Sequence, residues 1–146
     1  MRTALRSEFP HHLALPTRWM DNDVYGHVNN VVYYSYFDTA VNQFLIERGA
    51  LDIHQGEVVG FVVNSGCSYF SPVSFPDTVH AGIRVAKLGN SSVRYEIALY
   101  RNDDPLPCAA GHFVHVYVER SSNRSVPVPA NVREVLEKIR AAPAGN

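Results

Sequence analysis

The sequence predicts an α+β fold in which a curved antiparallel sheet of about five strands wraps around one long central helix. Three observations predict it. Residues 30–48 carry an apolar face at helical spacing that is wider than a helix at a protein surface needs. Four β-rich stretches follow within residues 58–120, and one alternating stretch precedes the helix at residues 11–18.

The composition indicates one domain and excludes several classes of protein. A chain of 146 residues can bury a core without disulfides, so we expect a single domain over 1–146, with 1–10 and 143–146 loosely ordered. Lys and Arg number 13 against 14 Asp and Glu, which does not suggest a nucleic-acid partner. No stretch approaches the roughly 20 apolar residues of a membrane span. The expectation is a cytoplasmic protein.

The helix has recognisable start and stop signals. The first strand, residues 11–18, contains Pro16, which favours an edge position. The helix is predicted from about Asn30 to Arg48, with Asn29 or Asn30 as its N-cap and Gly49 as its stop. It therefore begins directly after a polar loop.

The second half of the chain predicts a meander and a terminal helix. Hydrophobic and polar residues alternate along Thr78–Leu88 and Ser92–Arg101, and Gly89-Asn90 between them is typical of a tight turn. We expect four strands in an antiparallel meander, then a helix near residues 130–142. The expected strands are 58–70, 78–88, 92–101 and 106–120.

The polar loop of residues 21–29 is the best candidate for a reactive site. The chain has no Gly-rich phosphate loop, no nucleophile elbow and no histidine spacing typical of a metal, so no metal site is expected. Asp21 and Asp23 could simply cap turns, which is common for Asp in loops. However, polar groups crowd immediately before an apolar helix, where burial makes each of them costly. A catalytic role therefore competes with the structural one, and for His27 the two are evenly matched.

This loop also carries a family resemblance. Residues 17–30, TRWMDNDVYGHVNN, followed by Tyr33, Tyr34 and Phe37, resemble the signature of the 4-hydroxybenzoyl-CoA thioesterase family of hotdog-fold acyl-CoA thioesterases. Residues 69–78 and 84–92 are similar to the family's next turn and hairpin. The resemblance covers roughly residues 10–120. It implies a hotdog fold, in which a curved antiparallel sheet wraps a long helix, and the predicted element order agrees with it.

The resemblance implies specific roles at the start of the helix. Asp23 matches the family's catalytic carboxylate, which would attack the thioester carbonyl or activate a water that does. The backbone N–H of Asn30 would hold the developing oxyanion. His27 and Asn29 would position Asp23, the water or the thioester, and Tyr33 could line the acyl pocket. The family's hydroxybenzoyl branch does not have histidine at the position of His27, which favours other acyl groups here.

The resemblance also implies an oligomer whose active sites lie at a subunit interface. Asn64 and Ser65, on the strand expected to pair across that interface, are candidates for facing the thioester of the partner subunit. Arg84, Lys87 and Arg94 could meet the phosphates of coenzyme A. Ordinary strand polarity is the simpler explanation for the first two residues, and a solvated strand face is the alternative for the three cations. The expected assembly is a homodimer or homotetramer that needs no cofactor, because coenzyme A belongs to the substrate.

Two other functions remain compatible with the sequence. A hotdog hydratase or dehydratase also acts on acyl thioesters with a histidine and a carboxylate, so Asp23 and His27 do not exclude it. A non-catalytic module that binds acyl-CoA is the other alternative. The motif order and the Asn29-Asn30 pair at the helix start favour hydrolysis.

Overall fold

One long helix and five strands make up most of the fold. The computed structural model describes residues 1–51 and 56–141. The elements in chain order are β1 (His11–Pro16), α1 (Asn30–Glu47), β2 (Val58–Tyr69), β3 (Thr78–Leu88), β4 (Ser92–Arg101), β5 (Ala109–Glu119) and α2 (Ala130–Glu137). Short 3₁₀ turns at Arg6–Glu8 and Trp19–Asp21 flank β1. No helix in these ranges is long and apolar enough to cross a membrane.

The strands form one antiparallel sheet in the order β1-β3-β4-β5-β2. The prediction of a four-strand meander is wrong for its first step, because β2 pairs with β5 and β3 pairs with β1. Tight hairpins need short turns, whereas residues 70–77 form a longer connection punctuated by Pro72 and Pro76. This crossover leaves β2 at one edge of the sheet and β1 at the other.

The helix α1 begins and ends where its capping residues predict. The Asn29 side chain accepts a hydrogen bond from the backbone N–H of Val31 at 3.2 Å. After Glu47 the chain leaves the helix through Gly49, whose φ of +69° favours glycine. The sheet curves around the apolar face of α1, which buries Tyr33, Tyr36, Phe37, Ala40, Val41, Phe44 and Leu45.

A glycine lets α1 approach the middle of the sheet. A Cβ at Gly111 on β5 would lie 2.6 Å from the Phe37 ring and would also meet the carbonyl oxygen of Gly66. Only a residue without a side chain fits between the two. The long helix and the sheet therefore pack closely enough to exclude solvent, which is the hotdog arrangement.

The N-terminal segment contributes buried residues to the fold. Ala4 and Phe9 are buried with Ala98, Tyr100 and Ala110 in a second small cluster. The Tyr100 hydroxyl donates to the carbonyl oxygen of Ala4 at 2.9 Å. Because side chains alternate along β4, Tyr100 lies on the sheet face away from α1. The N-terminal segment covers this apolar surface and removes it from water. Residues 143–146 lie outside the described residues.

The terminal helix is shorter than predicted. It ends at Glu137 rather than near residue 142, which itself lies outside the described residues. After α2, Arg140 forms a parallel bridge with Val85 on β3. Val132, Val135 and Leu136 are buried, and they belong to the core cluster that also contains residues of α1.

Candidate active site

A cavity of about 600 Å³ opens at the N-terminus of α1. All five residues predicted to act in catalysis or to line the acyl pocket on this segment border it: Asp23, His27, Asn29, Asn30 and Tyr33. The opposite wall comes from the end of β2 and the following turn, through Tyr69, Phe70, Ser71 and Pro72. The sequence motif and the cavity therefore coincide.

Asp23 is held by the backbone of its own turn. Its Oδ1 accepts hydrogen bonds from the backbone N–H groups of Tyr25 at 2.8 Å and His27 at 3.4 Å. The Asp23 carbonyl oxygen accepts from Gly26, whose φ of +83° the turn requires. Oδ2 has no hydrogen-bond partner among the described residues. One carboxylate oxygen thus fixes the group, and the other is available to a substrate or a water.

His27 contributes its backbone to this turn. Its carbonyl oxygen accepts from the Asp23 N–H at 2.8 Å, so the backbones of the two residues pair. Its side chain is exposed and borders the cavity. The imidazole is therefore accessible to a ligand, whereas the backbone of His27 has a structural role.

The first residue of α1, Asn30, borders the cavity and has a backbone N–H without an acceptor among the described residues. The Val31 N–H is capped by the Asn29 side chain, and the Val32 N–H donates to the Asn29 carbonyl at 2.9 Å. The Asn30 N–H has no acceptor within residues 1–51 and 56–141. An unpaired N–H at a helix N-terminus favours negative charge, because the helix dipole adds to the donor. This donor suits an oxyanion.

Asp21 supports the loop and does not line the cavity. It is 1% exposed, and it accepts hydrogen bonds from the Arg18 backbone and guanidinium and from the Tyr36 hydroxyl at 2.8 Å. Burial alone would raise the pKa of Asp21, but these hydrogen bonds outweigh burial and lower it. Its backbone carbonyl also accepts from the Asn29 N–H at 2.9 Å. Asp21 therefore fixes both ends of the loop that holds Asp23.

Tyr69 is a cavity residue that the sequence analysis did not select. Its hydroxyl donates to the Asn30 carbonyl at 3.2 Å, and its ring meets the Tyr33 ring edge-on at 4.9 Å. Burial raises the pKa of Tyr69 to about 12 and that of Tyr33 further, so both hydroxyls stay protonated at neutral pH. The sequence signal for Tyr69 as a cavity residue is its position at the end of a strand, just before the turn that contains Pro72.

Asn64 and Ser65 do not lie together. The Asn64 Oδ1 lies 2.6 Å from the His112 Nε2, on the face of the sheet away from α1. Ser65 lies opposite Phe113, whose side chain packs against α1. A β-bulge between Val62 and Asn64 shifts the alternation of side chains along β2. Neither residue lines the Asp23 cavity of its own chain.

The three candidate phosphate ligands have different surroundings. Arg84 forms an ion pair with Glu96 at 2.9 Å. Lys87 and Arg94 lie opposite each other on β3 and β4. Arg94 also lines an open groove that includes Phe70, and Phe70 borders the Asp23 cavity as well. Arg94 is therefore the cation whose groove shares a residue with the cavity.

Within the described ranges, no three histidine, cysteine, aspartate or glutamate side chains are grouped so that they could hold a metal ion. The side chains and backbone that border the cavity supply a carboxylate, an imidazole, tyrosine hydroxyls and a helix N-terminus.

The chain is similar to several known proteins. The model of the thioesterase-like superfamily matches residues 17–136. The crystal structure of the PA5185 protein from Pseudomonas aeruginosa strain PAO1 is 56% identical, with a TM-score of 0.92 over 94% of this chain and 96% of that chain. The PA2801 protein from the same species is 35% identical, with a TM-score of 0.81 over 86% and 97% of the two chains.

One of the similar structures contains a ligand. A thioesterase from Thermus thermophilus, complexed with coenzyme A and Zn, is 31% identical to this chain. Its TM-score is 0.76, and the match covers 93% of this chain and 98% of that chain. This fold therefore accommodates coenzyme A in a relative.

Proposed function

The chain belongs to the thioesterase-like superfamily, and on that premise we propose that it hydrolyses acyl-CoA thioesters to a free acid and coenzyme A. One observation carries the proposal. Among the described residues, the Asp23 Oδ2 and the Asn30 N–H have no hydrogen-bond partner, and both residues border the same cavity. A base or nucleophile and an oxyanion donor are the two groups that thioester hydrolysis requires.

In the proposed reaction the thioester carbonyl oxygen points at the Asn30 N–H. Asp23 either attacks the carbonyl carbon directly or removes a proton from a water that attacks it. The electron pair of the C=O bond moves to oxygen, where the helix N-terminus stabilises it, and the C–S bond then breaks. The sulfur leaves as the thiolate of coenzyme A and takes up a proton. In the direct route a water then hydrolyses the anhydride formed with Asp23 and regenerates its carboxylate, and in both routes water supplies the second oxygen of the acid.

Coenzyme A as the leaving group is supported by the Thermus thermophilus relative and by the surface beside the cavity. That relative was crystallised with coenzyme A. In this chain the groove that contains Arg94 adjoins the cavity at Phe70. Coenzyme A could extend along this groove, where the guanidinium would meet a phosphate.

The proposed active form is a homodimer joined through β2. This strand lies at an edge of the sheet. Phe61, Val62 and Val63 in its middle are 48%, 47% and 59% exposed, which is costly for a solvent-facing edge. A second β2 pairing antiparallel to the first would cover them and continue the sheet. The cavity of each chain would then adjoin the other subunit.

The proposal is tested by the substitution Asp23→Asn. It keeps the side-chain shape and one acceptor for the turn but removes the charge, so we expect turnover to fall by about 10²-fold or more with little change in thermal stability. Thiol release from a series of acyl-CoAs measures turnover. Asp103→Asn, at an exposed turn, is the matched control and should retain wild-type turnover.

Two results would contradict the proposal. Full activity of the Asp23→Asn protein would exclude the carboxylate as the reactive group. Hydration of an enoyl-CoA by the wild-type protein without thiol release would instead assign it to the hydratases.

A further inference from the structure

The sulfur of the thioester has no partner in the proposed reaction. Asp23 acts on the carbonyl carbon or on a water, and the Asn30 N–H acts on the carbonyl oxygen; both residues border the cavity. Neither group acts on the sulfur, which receives the electron pair of the C–S bond. A hydrogen-bond donor beside the sulfur would stabilise that pair. Tyr69 borders the same cavity, and its hydroxyl is such a donor.

The sulfur needs a donor most when Asp23 attacks the carbonyl carbon directly. A thiol has a pKa of about 8.5 and an aspartic acid a pKa of about 4, so the carboxylate is the better leaving group. The tetrahedral intermediate would therefore return to the thioester more often than it expels the sulfur. A hydrogen bond to the sulfur opposes this return, because hydrogen bonds to ionised acceptors are stronger than those to neutral ones.

Tyr69 lies between the proposed oxyanion donor and the groove proposed for coenzyme A. Its hydroxyl donates to the carbonyl oxygen of Asn30 at 3.2 Å, and Asn30 also carries the N–H proposed to bind the oxyanion. The next residue, Phe70, borders both the cavity and the groove. A thioester whose oxygen meets the Asn30 N–H and whose coenzyme A passes Phe70 would have its sulfur beside the Tyr69 hydroxyl.

The hydrogen bond that Tyr69 makes can be exchanged at little cost. Its length of 3.2 Å exceeds the roughly 2.5–3.0 Å that is usual between two oxygens. Asn30 is the first residue of α1, so by helix geometry its carbonyl also accepts from the backbone N–H of Tyr34. The carbonyl therefore stays paired when the Tyr69 hydroxyl turns to a substrate.

The ring of Tyr69 is held in place while its hydroxyl remains accessible. The ring meets the Tyr33 ring edge-on at 4.9 Å, and Tyr33 is buried against the sheet. Tyr69 itself is 45% exposed. Its partial burial raises the pKa of Tyr69 to about 12, which is above that of a thiol. The hydroxyl therefore keeps its proton and can donate a hydrogen bond to a thiolate.

We propose that the Tyr69 hydroxyl leaves the Asn30 carbonyl and donates its hydrogen bond to the thioester sulfur as the C–S bond breaks. The electron pair of that bond moves to the sulfur, and the carbonyl double bond forms again. Tyr69 retains its proton, and the proton that the thiolate finally takes up comes from the water consumed in the reaction. Tyr69 is thus a further catalytic residue. This inference rests on the proposed hydrolysis.

The test compares leaving groups of different basicity in the Tyr69→Phe protein. The same acyl group is carried by coenzyme A, by N-acetylcysteamine and by thiophenol; the first two are alkyl thiols, and the anion of the third is a much weaker base. We expect Tyr69→Phe to lower kcat for both alkyl thioesters by about tenfold or more, with KM little changed. For the phenyl thioester kcat should change by less than about twofold, because its thiolate leaves without a hydrogen bond.

Tyr100→Phe is the matched control, because it also removes a tyrosine hydroxyl that donates to a backbone carbonyl. Tyr100 donates to Ala4 at 2.9 Å, within the small cluster on the sheet face away from α1. This variant should keep kcat for all three thioesters and melt at a lower temperature than the wild type. Tyr69→Phe should melt close to the wild type, because the Asn30 carbonyl keeps its partner within the helix.

Several outcomes would overturn the inference. A Tyr69→Phe protein that slows all three thioesters equally has lost the arrangement of the cavity and not a donor to the sulfur, which leaves the proposed function intact. Unchanged kcat for both alkyl thioesters, or a variant that fails to fold, also contradicts the inference. If the wild-type protein releases thiol from none of the three substrates, the proposed function fails and this inference fails with it.

Discussion

The Tyr36 hydroxyl donates a hydrogen bond to the Asp21 Oδ2 at 2.8 Å, which joins the loop before α1 to the buried face of that helix. Asp21 also pairs with Arg18 at 2.9 Å and is itself 1% exposed. The loop that holds Asp23 is thus attached to the core by a neighbouring carboxylate. The two aspartates have separate roles: Asp21 fixes the loop and Asp23 faces the cavity.

Asp21→Asn should destabilise the protein by about 2 kcal/mol at neutral pH, because the buried donors lose a charged acceptor. The pKa of Asp21 is lowered in the folded protein. Its carboxylate therefore contributes its full stabilisation above its unfolded pKa of about 4, and the contribution is lost as the pH falls through the lower folded value. The difference in unfolding free energy between the wild type and the variant should narrow only below about pH 4. Urea unfolding across a pH series measures it.

The control for this experiment is Asp103→Asn, which changes an exposed aspartate. Its unfolding free energy should stay within about 0.5 kcal/mol of the wild type. A difference between wild type and Asp21→Asn that persists unchanged into strong acid would show that shape, and not charge, makes Asp21 important.

Most elements could be predicted from the sequence because their signals are local. Asn29 caps α1, Gly49 ends it, and the β3 and β4 boundaries follow from alternation and the Gly89-Asn90 turn. The five predicted residues that border the Asp23 cavity are also close in sequence, so a single motif locates them. A resemblance over that motif was enough to predict the candidate site.

The remaining features depend on contacts that are distant in sequence. The bulge at Val62 moves Asn64 to the sheet face away from α1, and no residue type in β2 predicts this bulge. Phe9 packs on that same face through a surface that exists only once the sheet has formed. Tyr69 reaches the Asp23 cavity because β2 ends beside the start of α1. That the His115 ring nitrogens have no hydrogen-bond partner among the described residues likewise becomes evident only in the folded chain.

Arg94→Ala should weaken the binding of coenzyme A thioesters while the chemical step is maintained. We expect KM for an acyl-CoA to rise several-fold with kcat little changed, because Arg94 lies in the groove beside the cavity and not in the cavity itself. The same acyl group on N-acetylcysteamine lacks the nucleotide phosphates, so its KM should not change. Steady-state thiol release with both thioesters separates the two effects.

Arg84→Ala is the comparison for that experiment. Arg84 donates to Glu96 at 2.9 Å and its guanidinium lies 4.5 Å from the centre of the Phe9 ring, so its loss should lower the melting temperature. The effect of Arg84→Ala on KM should be the same for the acyl-CoA and for the N-acetylcysteamine thioester. If Arg94→Ala also changes KM equally for both, the guanidinium does not meet the nucleotide phosphates.

A charge placed on the free edge of β2 should prevent dimer formation. Val62 and Val63 are 47% and 59% exposed, and in the proposed dimer both would be covered by the second β2. Val63→Lys would place an ammonium group in that interface, where desolvation is costly. Analytical ultracentrifugation should therefore show a dimer for the wild type and a monomer for the variant.

Leu106→Lys, at a site 46% exposed in the turn between β4 and β5, is the matched control and should remain dimeric. Because the proposed cavity is completed by the partner, the monomeric variant should also lose turnover. A Val63→Lys protein that is still dimeric would place the subunit interface elsewhere.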